Sequence, residues 1–215
     1  MTTTQQSPAT PASTEQTMQP GQPQGFQAIP TRIRDARDGQ VPPLVVAPTD
    51  DAAKAAICES LSELSTRLAE IHRTSAEAYL SQGLYDEAMP HLQAATTFSP
   101  TELEYRMQLG FVQYVCGDDA GAITSFNEVI TADEHNGEAW FNLGMVVFGQ
   151  QQFTEAEYCF RRAAEVDGGD AQTWNNRGVC LWKLERADEA RSCFENALKL
   201  DPQDEDAQFN LQNLA

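Results

Sequence analysis

The strongest constraint on this chain is a period of 34 residues that runs through its C-terminal two-thirds. When residues 69–102, 103–136, 137–170 and 171–204 are aligned, small and bulky residues fall into shared columns. Several columns agree across all four segments, so the period indicates a repeat architecture rather than a chance match. The clearest columns are Ala88, Ala122, Ala156 and Ala190; Leu92, Phe126, Phe160 and Phe194; and Ala95, Val129, Ala163 and Ala197.

Each segment divides into two halves at a turn. Gly83 and Gly117 stand at the break in the first two segments, and Gln151 and Glu185 replace glycine in the last two. We therefore expect two antiparallel helices in each segment, joined by a tight turn. Since neither helix can bury its apolar face alone, neighbouring pairs must stack.

The period and its columns resemble the tetratricopeptide repeat family, as do Leu109-Gly110, Leu143-Gly144 and the altered pair Arg177-Gly178. The resemblance implies an all-α, right-handed solenoid of antiparallel helix pairs, with four repeats over residues 69–204. Residues 205–215 restart the pattern and are expected to form a capping helix. In that family the first helix of each repeat lines a concave groove that holds peptide segments. The chain is therefore expected to be a non-enzymatic module that binds protein partners.

Counting along the repeat identifies the side chains expected to face this groove, and we call them the groove residues. They are Met107, Gln108, Phe111, Tyr114, Phe141, Asn142, Met145, Phe148, Asn176, Val179, Trp182, Phe209 and Asn210. Asn and Gln amides both donate to and accept from a peptide backbone. Met and aromatic surfaces accommodate alternate apolar side chains. We expect an extended apolar partner segment, with packing against the next repeat as the alternative role of Tyr114 and Trp182.

One binding mode of the family can be compared with these residues directly. The clamp that holds the acidic C-termini of heat-shock chaperones uses Lys, Arg and Asn side chains. The matching positions here are Met107, Phe111, Asn142, Gln172 and Asn176, of which only Asn142 fits. Binding of an acidic tail by that clamp is therefore not expected.

A narrower resemblance, to the translocator chaperones of type III secretion, covers residues 50–204. It is carried by Leu109-Gly110-Phe111, Gln113-Tyr114 and Gly117, and it continues through Ala122 and Phe126. The fourth repeat and the long N-terminal tail depart from that family. The resemblance makes a dedicated chaperone of a secreted client an alternative to a general adaptor. A self-assembling scaffold is a third alternative.

The composition changes sharply before the repeats. Residues 1–48 are rich in Thr, Gln and Pro, and they cannot bury enough apolar surface to offset the entropy of ordering, so we expect a disordered tail. Within it, residues 41–48 place three consecutive bulky apolar side chains between prolines. This segment is a candidate to occupy the groove of its own or a neighbouring molecule. From residue 49 to residue 68 we predict an N-terminal helix, with Thr49 as its N-cap.

A heptad pattern marks this N-terminal helix. Apolar residues follow one another at alternating spacings of four and three, the pattern of a coiled-coil seam. They are Ile57, Leu61, Leu64, Leu68 and Ile71, and we call them the heptad stripe. The stripe either packs onto the first repeat or forms the seam of a homodimer through residues 50–80.

Charge and reactive residues exclude several other functions. The net charge is −18, carried by residues 49–215, which disfavours nucleic acid and anionic membranes. No apolar run is long enough to span a membrane, and the N-terminus has no secretory pattern. The five cysteines lack a CxxC pair, and His72, His91 and His135 are far apart without metal-ligand spacing. We therefore expect no enzyme activity, no cofactor, no metal and a cytoplasmic location.

Overall fold

The computed structural model describes residues 51–214, and of Ala52 it describes the backbone alone. This part of the chain forms one compact unit that contains helices and no strand. The helices are α1 (Asp51–Leu80), α2 (Tyr85–Phe98), α3 (Leu103–Val115), α4 (Asp119–Ala132), α5 (Gly137–Gly149), α6 (Phe153–Val166), α7 (Ala171–Lys183), α8 (Ala187–Leu200) and α9 (Glu205–Asn213). The predicted tail, the segment 41–48 and the N-cap at Thr49 lie outside the described residues.

Successive helices pack against one another along the whole unit. Every helix contacts the next in the chain, α3 also contacts α5, and α7 also contacts α9. The first helices of neighbouring pairs therefore lie side by side, and so the predicted all-α solenoid of stacked helix pairs is confirmed. We call α3, α5 and α7 the first helices, and α2, α4, α6 and α8 the second helices.

The N-terminal helix is longer than the repeat requires. Residues 52–82 left open whether there is one helix or two, and α1 is one helix of 30 residues. Its C-terminal part packs against α2 through Ala76, while Tyr79 and Leu80 lie beside the same cluster. Position 69, where the first repeat was predicted to begin, lies within α1.

The turn between the helices of each repeat needs a left-handed backbone. Gly83 and Gly117 have φ values of 73° and 81°, and Gln151 and Glu185 adopt φ values of 61° and 60° at the equivalent positions. Residues with a Cβ rarely adopt this region. The last two repeats thus keep the turn geometry without glycine, at a cost in backbone strain.

The core of each later repeat is built on a glycine facing a phenylalanine ring. A Cβ added at Gly110, Gly144 or Gly178 would lie within 2.5–2.8 Å of the buried ring sixteen residues later. The rings belong to Phe126, Phe160 and Phe194, which are almost fully buried. The first repeat replaces this pair with Ala76 and Leu92, both fully buried in one cluster.

The loop that enters each first helix is held by a repeated hydrogen bond. Trp140 Nε1 donates to the Glu134 carbonyl at 3.0 Å, and Trp174 Nε1 donates to the Gly168 carbonyl at 3.1 Å. At the same position of the repeat, Gln208 Nε2 donates to the carbonyl of Pro202 at 2.8 Å. Arg106 donates to the carbonyl of Pro100 in the same way.

Many of the acidic residues cap helices. The side chains of Asn136, Asp170 and Asp204 accept from backbone N–H groups in the first turns of α5, α7 and α9, and Asp118 does the same for α4. Such caps satisfy backbone donors that a helix leaves unpaired. Part of the negative charge is therefore explained by helix capping.

The cysteines divide into a buried and an exposed set. All five are free thiols; Cys58 and Cys116 are exposed, while Cys159, Cys180 and Cys193 are buried. Burial raises the pKa of the Cys159 and Cys180 thiols to about 12. The buried thiols fill the core as small apolar groups, as their positions in the repeat predicted.

Candidate peptide-binding groove

The groove residues stand at positions spaced by three and four along the first helices and α9. Gln108 and Phe111 on α3 correspond, 34 residues on, to Asn142 and Met145 on α5. Residues at this spacing share one helix face. Because α3 contacts α5, the two faces continue into each other.

A cavity of about 260 Å³ lies where α1, α3 and α5 meet. Four groove residues line it: Met107, Gln108, Phe111 and Asn142. The other lining residues are Leu80, Glu104 and Glu138. The structure thus brings together the N-terminal members of the predicted set, and it adds two carboxylates to them.

Several apolar groove residues belong partly to the core. Met107 is only 6% exposed and lies in the central buried cluster. Tyr114, Phe141, Met145 and Phe148 are half-buried and pack against that cluster. The alternative role of Tyr114, packing between repeats, is therefore part of the observed arrangement, whereas Phe111 remains 46% exposed.

Aromatic contacts show how these side chains are held. The ring of Phe141 lies 5.6 Å from the buried ring of Phe160, and the ring of Phe148 lies 5.6 Å from Phe153 at the start of α6. Phe111 makes an edge contact with Tyr85 at 6.4 Å. These contacts restrict the rings, so the apolar surface left at the groove is preorganised.

The column of amides does not form one continuous row. Gln108 Nε2 donates to Glu104 Oε1 at 3.0 Å, Asn176 Nδ2 lies 3.5 Å from the Met145 sulfur, and Asn210 Nδ2 donates to Asn175 Oδ1 at 2.9 Å. The donors of Gln108 and Asn210 therefore already have oxygen partners. Gln108 Oε1 is buried and has no hydrogen-bond partner among the described residues.

The C-terminal end of the set is less uniform. Val179 and Trp182 on α7 are half-buried and pack against the cluster that contains Leu181 and Phe194. Phe209 on α9 is 65% exposed, the highest value among the large hydrophobic side chains within residues 51–214. Trp182 thus follows its alternative role, and Phe209 keeps an open surface.

Two cavity residues escaped the sequence analysis, namely Glu104 and Glu138. Each stands in the first turn of its helix, four residues before Gln108 and Asn142 respectively. The same i, i+4 counting that selected the amides would have found them. We considered the acidity of the chain only as a bulk property.

The heptad stripe lies mostly on the surface. Ile57, Leu61 and Ile71 are each 60% exposed, and Leu64 is 53% exposed; Leu68 is half-buried. Packing of the whole stripe onto the first repeat is therefore wrong for the described part of the chain. Only Ala69 and Ala76, which face the repeat, are fully buried along α1.

The histidines correct one expectation. His72 and His91 are in contact, with their Nδ1 atoms 3.0 Å apart, and only His135 is distant from them. The His72 ring also stacks on Phe98, and the His91 ring stacks on Tyr79. Within residues 51–214 no group of three His, Cys, Asp or Glu side chains is placed to hold a metal ion.

Helix composition gives one further result. None of the helices in the described region combines the length and apolar character that crossing a membrane requires.

Comparisons with known proteins agree with this architecture. Two family models, both described as tetratricopeptide repeat, match residues 137–170 and 171–204. These ranges are the third and fourth segments of the 34-residue register. A comparison with curated protein sequences finds no match.

Solved structures give the same answer for the fold. MamA (residues 41 to the end) from Desulfovibrio magneticus RS-1 is 21% identical; the match covers 67% of this chain and 81% of MamA, with a TM-score of 0.64. YrrB, described as a TPR protein with an unusual peptide-binding site, is 19% identical over 75% of this chain and 88% of YrrB, with a TM-score of 0.61. The first TPR domain of Spaghetti (RPAP3), bound to the HSP90 peptide SRMEEVD, is 21% identical over 53% of this chain and 90% of that domain, with a TM-score of 0.51.

The repeat columns, the stacked helix pairs and the two family matches together define the class. The chain belongs to the tetratricopeptide repeat family. It is a protein–protein interaction module built on that fold.

Proposed function

We propose that the protein binds an extended, mainly apolar segment of a partner protein along its first helices and α9. The observation that carries the proposal is the combination of preorganised apolar surface with side-chain amides on one continuous face. Phe111 and Phe209 supply exposed aromatic surface. Asn142 and Asn176 lie between them on the same face.

The chemistry of this face suits a peptide without regular structure. An extended chain presents backbone N–H and C=O groups whatever its side chains are, and an amide side chain can bond either group. Apolar side chains of the partner would then cover the ring surfaces. YrrB and the RPAP3 domain, which share this fold, are both described with peptide sites, and this supports the same use here.

The test is a selection of displayed random decapeptides on the full chain, followed by affinity measurement of the enriched peptides by fluorescence polarisation. Asn142→Ala with Asn176→Ala should weaken binding about tenfold or more, since each lost hydrogen bond contributes on the order of 1 kcal/mol. Enriched peptides should be apolar and extended.

The matched control is Asn127→Ala with Asn196→Ala, which removes two amides from the second helices α4 and α8. This variant should bind like the original chain. If both variants bind unchanged while their unfolding midpoints stay the same, the groove proposal is wrong.

We also propose that the heptad stripe joins two copies of the chain. The favouring observation is that four of its five side chains are more than half exposed on one helix. A continuous 4-3 spacing over that length is the pattern by which two helices bury a shared seam. A second copy supplies the same spacing and so is the occupant to which we commit.

Light scattering across a range of chain concentrations tests the dimer. Leu61→Glu with Leu64→Glu should give a monomer, because it places charges in the seam. Ser62→Glu with Thr66→Glu, on the outer face of α1, should remain dimeric. A strict monomer for the unaltered chain at all concentrations would overturn the proposal.

A further inference from the structure

We propose that the cavity between α1, α3 and α5 receives an arginine or lysine side chain of the partner segment. This inference rests on the proposed function, because it names the chemistry of one residue in the bound peptide. It concerns the cavity lined by Leu80, Glu104, Met107, Gln108, Phe111, Glu138 and Asn142.

The polar groups of this cavity are mostly hydrogen-bond acceptors. Glu104 and Glu138 contribute carboxylates, and the amide nitrogen of Gln108 is already used on Glu104 Oε1. That leaves Gln108 Oε1, an acceptor that is buried without a partner among the described residues. Buried acceptors are costly to leave unpaired, so a ligand that brings several N–H donors is favoured here. Only Arg and Lys side chains offer three or more donors and no acceptor.

The two carboxylates have no cation of their own. Neither Glu104 nor Glu138 forms an ion pair within residues 51–214. Other acidic side chains on the repeats do, such as Glu128 with Arg106 at 2.8 Å and Glu157 with Arg177 at 2.9 Å. First-turn carboxylates are stabilised by the helix dipole, which keeps both groups charged while they wait for a partner.

The apolar walls suit the rest of such a side chain. Leu80 and Met107 offer a surface for the methylene stem, which long basic side chains bury while their charged end stays with polar groups. The exposed ring of Phe111 offers a face over which a guanidinium or ammonium group is attracted. A carboxylate in the same place would meet two like charges and no donor other than the Asn142 amide.

The inference predicts a preference opposite to the one for acidic tails. The RPAP3 domain is described with the peptide SRMEEVD, which carries three carboxylate side chains. At the cavity of the present chain a peptide of that kind would be repelled. The apolar partner segment should therefore contain one basic residue at a fixed position.

The test compares decapeptides selected from a displayed random library on three forms of the full chain. The unaltered chain should enrich peptides with Arg or Lys at one position of an apolar pattern. Glu104→Gln with Glu138→Gln should lose that positional preference and keep the apolar pattern. Glu155→Gln with Glu195→Gln, which removes two charges from α6 and α8, should keep both.

Each other outcome has a defined meaning. Enriched apolar peptides without a basic position would overturn this inference and leave the proposed function intact, whereas no enrichment at all would overturn both. Loss of the basic preference in both variants would show a bulk charge effect and would also overturn the inference.

An affinity measurement completes the test. Replacing the basic residue of an enriched peptide with citrulline should raise the Kd about tenfold or more for the unaltered chain, as expected for charged hydrogen bonds. For Glu104→Gln with Glu138→Gln the two peptides should bind within about threefold of each other. A tenfold loss that persists in this variant would place the basic residue elsewhere and contradict the inference.

Discussion

The core positions and the groove positions of the same helices change along the repeats in different ways. Core positions change in pairs: glycine with phenylalanine in three repeats becomes Ala76 with Leu92 in the first. Likewise the buried Gln113–Ser125 hydrogen bond of 2.7 Å occupies the positions that hold Val147 and Cys159 in the next repeat. Groove positions change singly, as when Phe111 is followed by Met145 and Val179.

The difference follows from what each side chain must satisfy. A core residue has a protein neighbour whose volume and hydrogen bonds it must match, because interiors are close-packed. A groove residue has its neighbour in another molecule. Single changes along the groove therefore alter what is bound, whereas single changes in the core alter whether the repeat folds.

The largest expected effect sharpens the description of the core by pH. Burial raises the pKa of Cys159 and Cys180 from 9.0 to about 12. In the unfolded chain these thiols ionise near pH 9, so stability is complete below pH 9 and is lost as the pH rises toward 12. Between pH 7 and pH 10 the two thiols together should cost about 3 kcal/mol.

Urea unfolding at a series of pH values measures this loss. Cys180→Ala should be less stable at pH 7 and should lose less stability between pH 7 and pH 10. An unchanged pH dependence in that variant would contradict the assignment to buried thiols.

A second test breaks one core pair. Gly144→Ala places a Cβ within about 3 Å of the buried Phe160 ring, and overpacking of this kind should cost about 2 kcal/mol, despite the better helix propensity of alanine. Adding Phe160→Leu, which copies the Ala76–Leu92 pair, should recover part of the loss. Urea unfolding midpoints measure both; a double variant less stable than Gly144→Ala alone would refute the pairing.

The polar core pair offers a third test. Ser125→Ala leaves the buried Gln113 amide without the hydroxyl that donates to it, and should cost about 1–2 kcal/mol. Gln113→Val with Ser125→Cys, which copies the third repeat, should be close to neutral. Equal stability of the three forms in urea would show that the pair is not coupled.

The smallest effect concerns the turns. Gln151 and Glu185 hold positive φ values where the first two repeats have glycine. Gln151→Gly should therefore stabilise the chain by about 1 kcal/mol, because it removes left-handed strain. The matched change Gln152→Gly, at a neighbouring residue with φ −82°, should not stabilise. A lower melting temperature for Gln151→Gly would contradict the strain argument.

The fold was predictable from the sequence because the core repeats. The columns of Ala122, Phe126 and their equivalents recur every 34 residues, and the structure buries them. The turn at Gln151 was also predictable, since Gly83 and Gly117 stand at the same position.

The site was less predictable, for physical reasons that particular residues show. Met107 counts as a groove residue by register but is buried, because a helix face has no sharp edge between core and surface. The amide of Gln108 is held by Glu104, a contact that register alone does not reveal. The contact of His72 with His91 depends on how α1 meets α2, outside the 34-residue period.

The most direct test of the central claim is an NMR titration of the ¹⁵N-labelled full chain with an enriched apolar peptide. The account predicts that the largest amide shift changes fall on α3, α5 and α7, at and around Gln108, Asn142 and Asn176. Changes concentrated on α1 between residues 57 and 71, or on the second helices α4, α6 and α8, would contradict it.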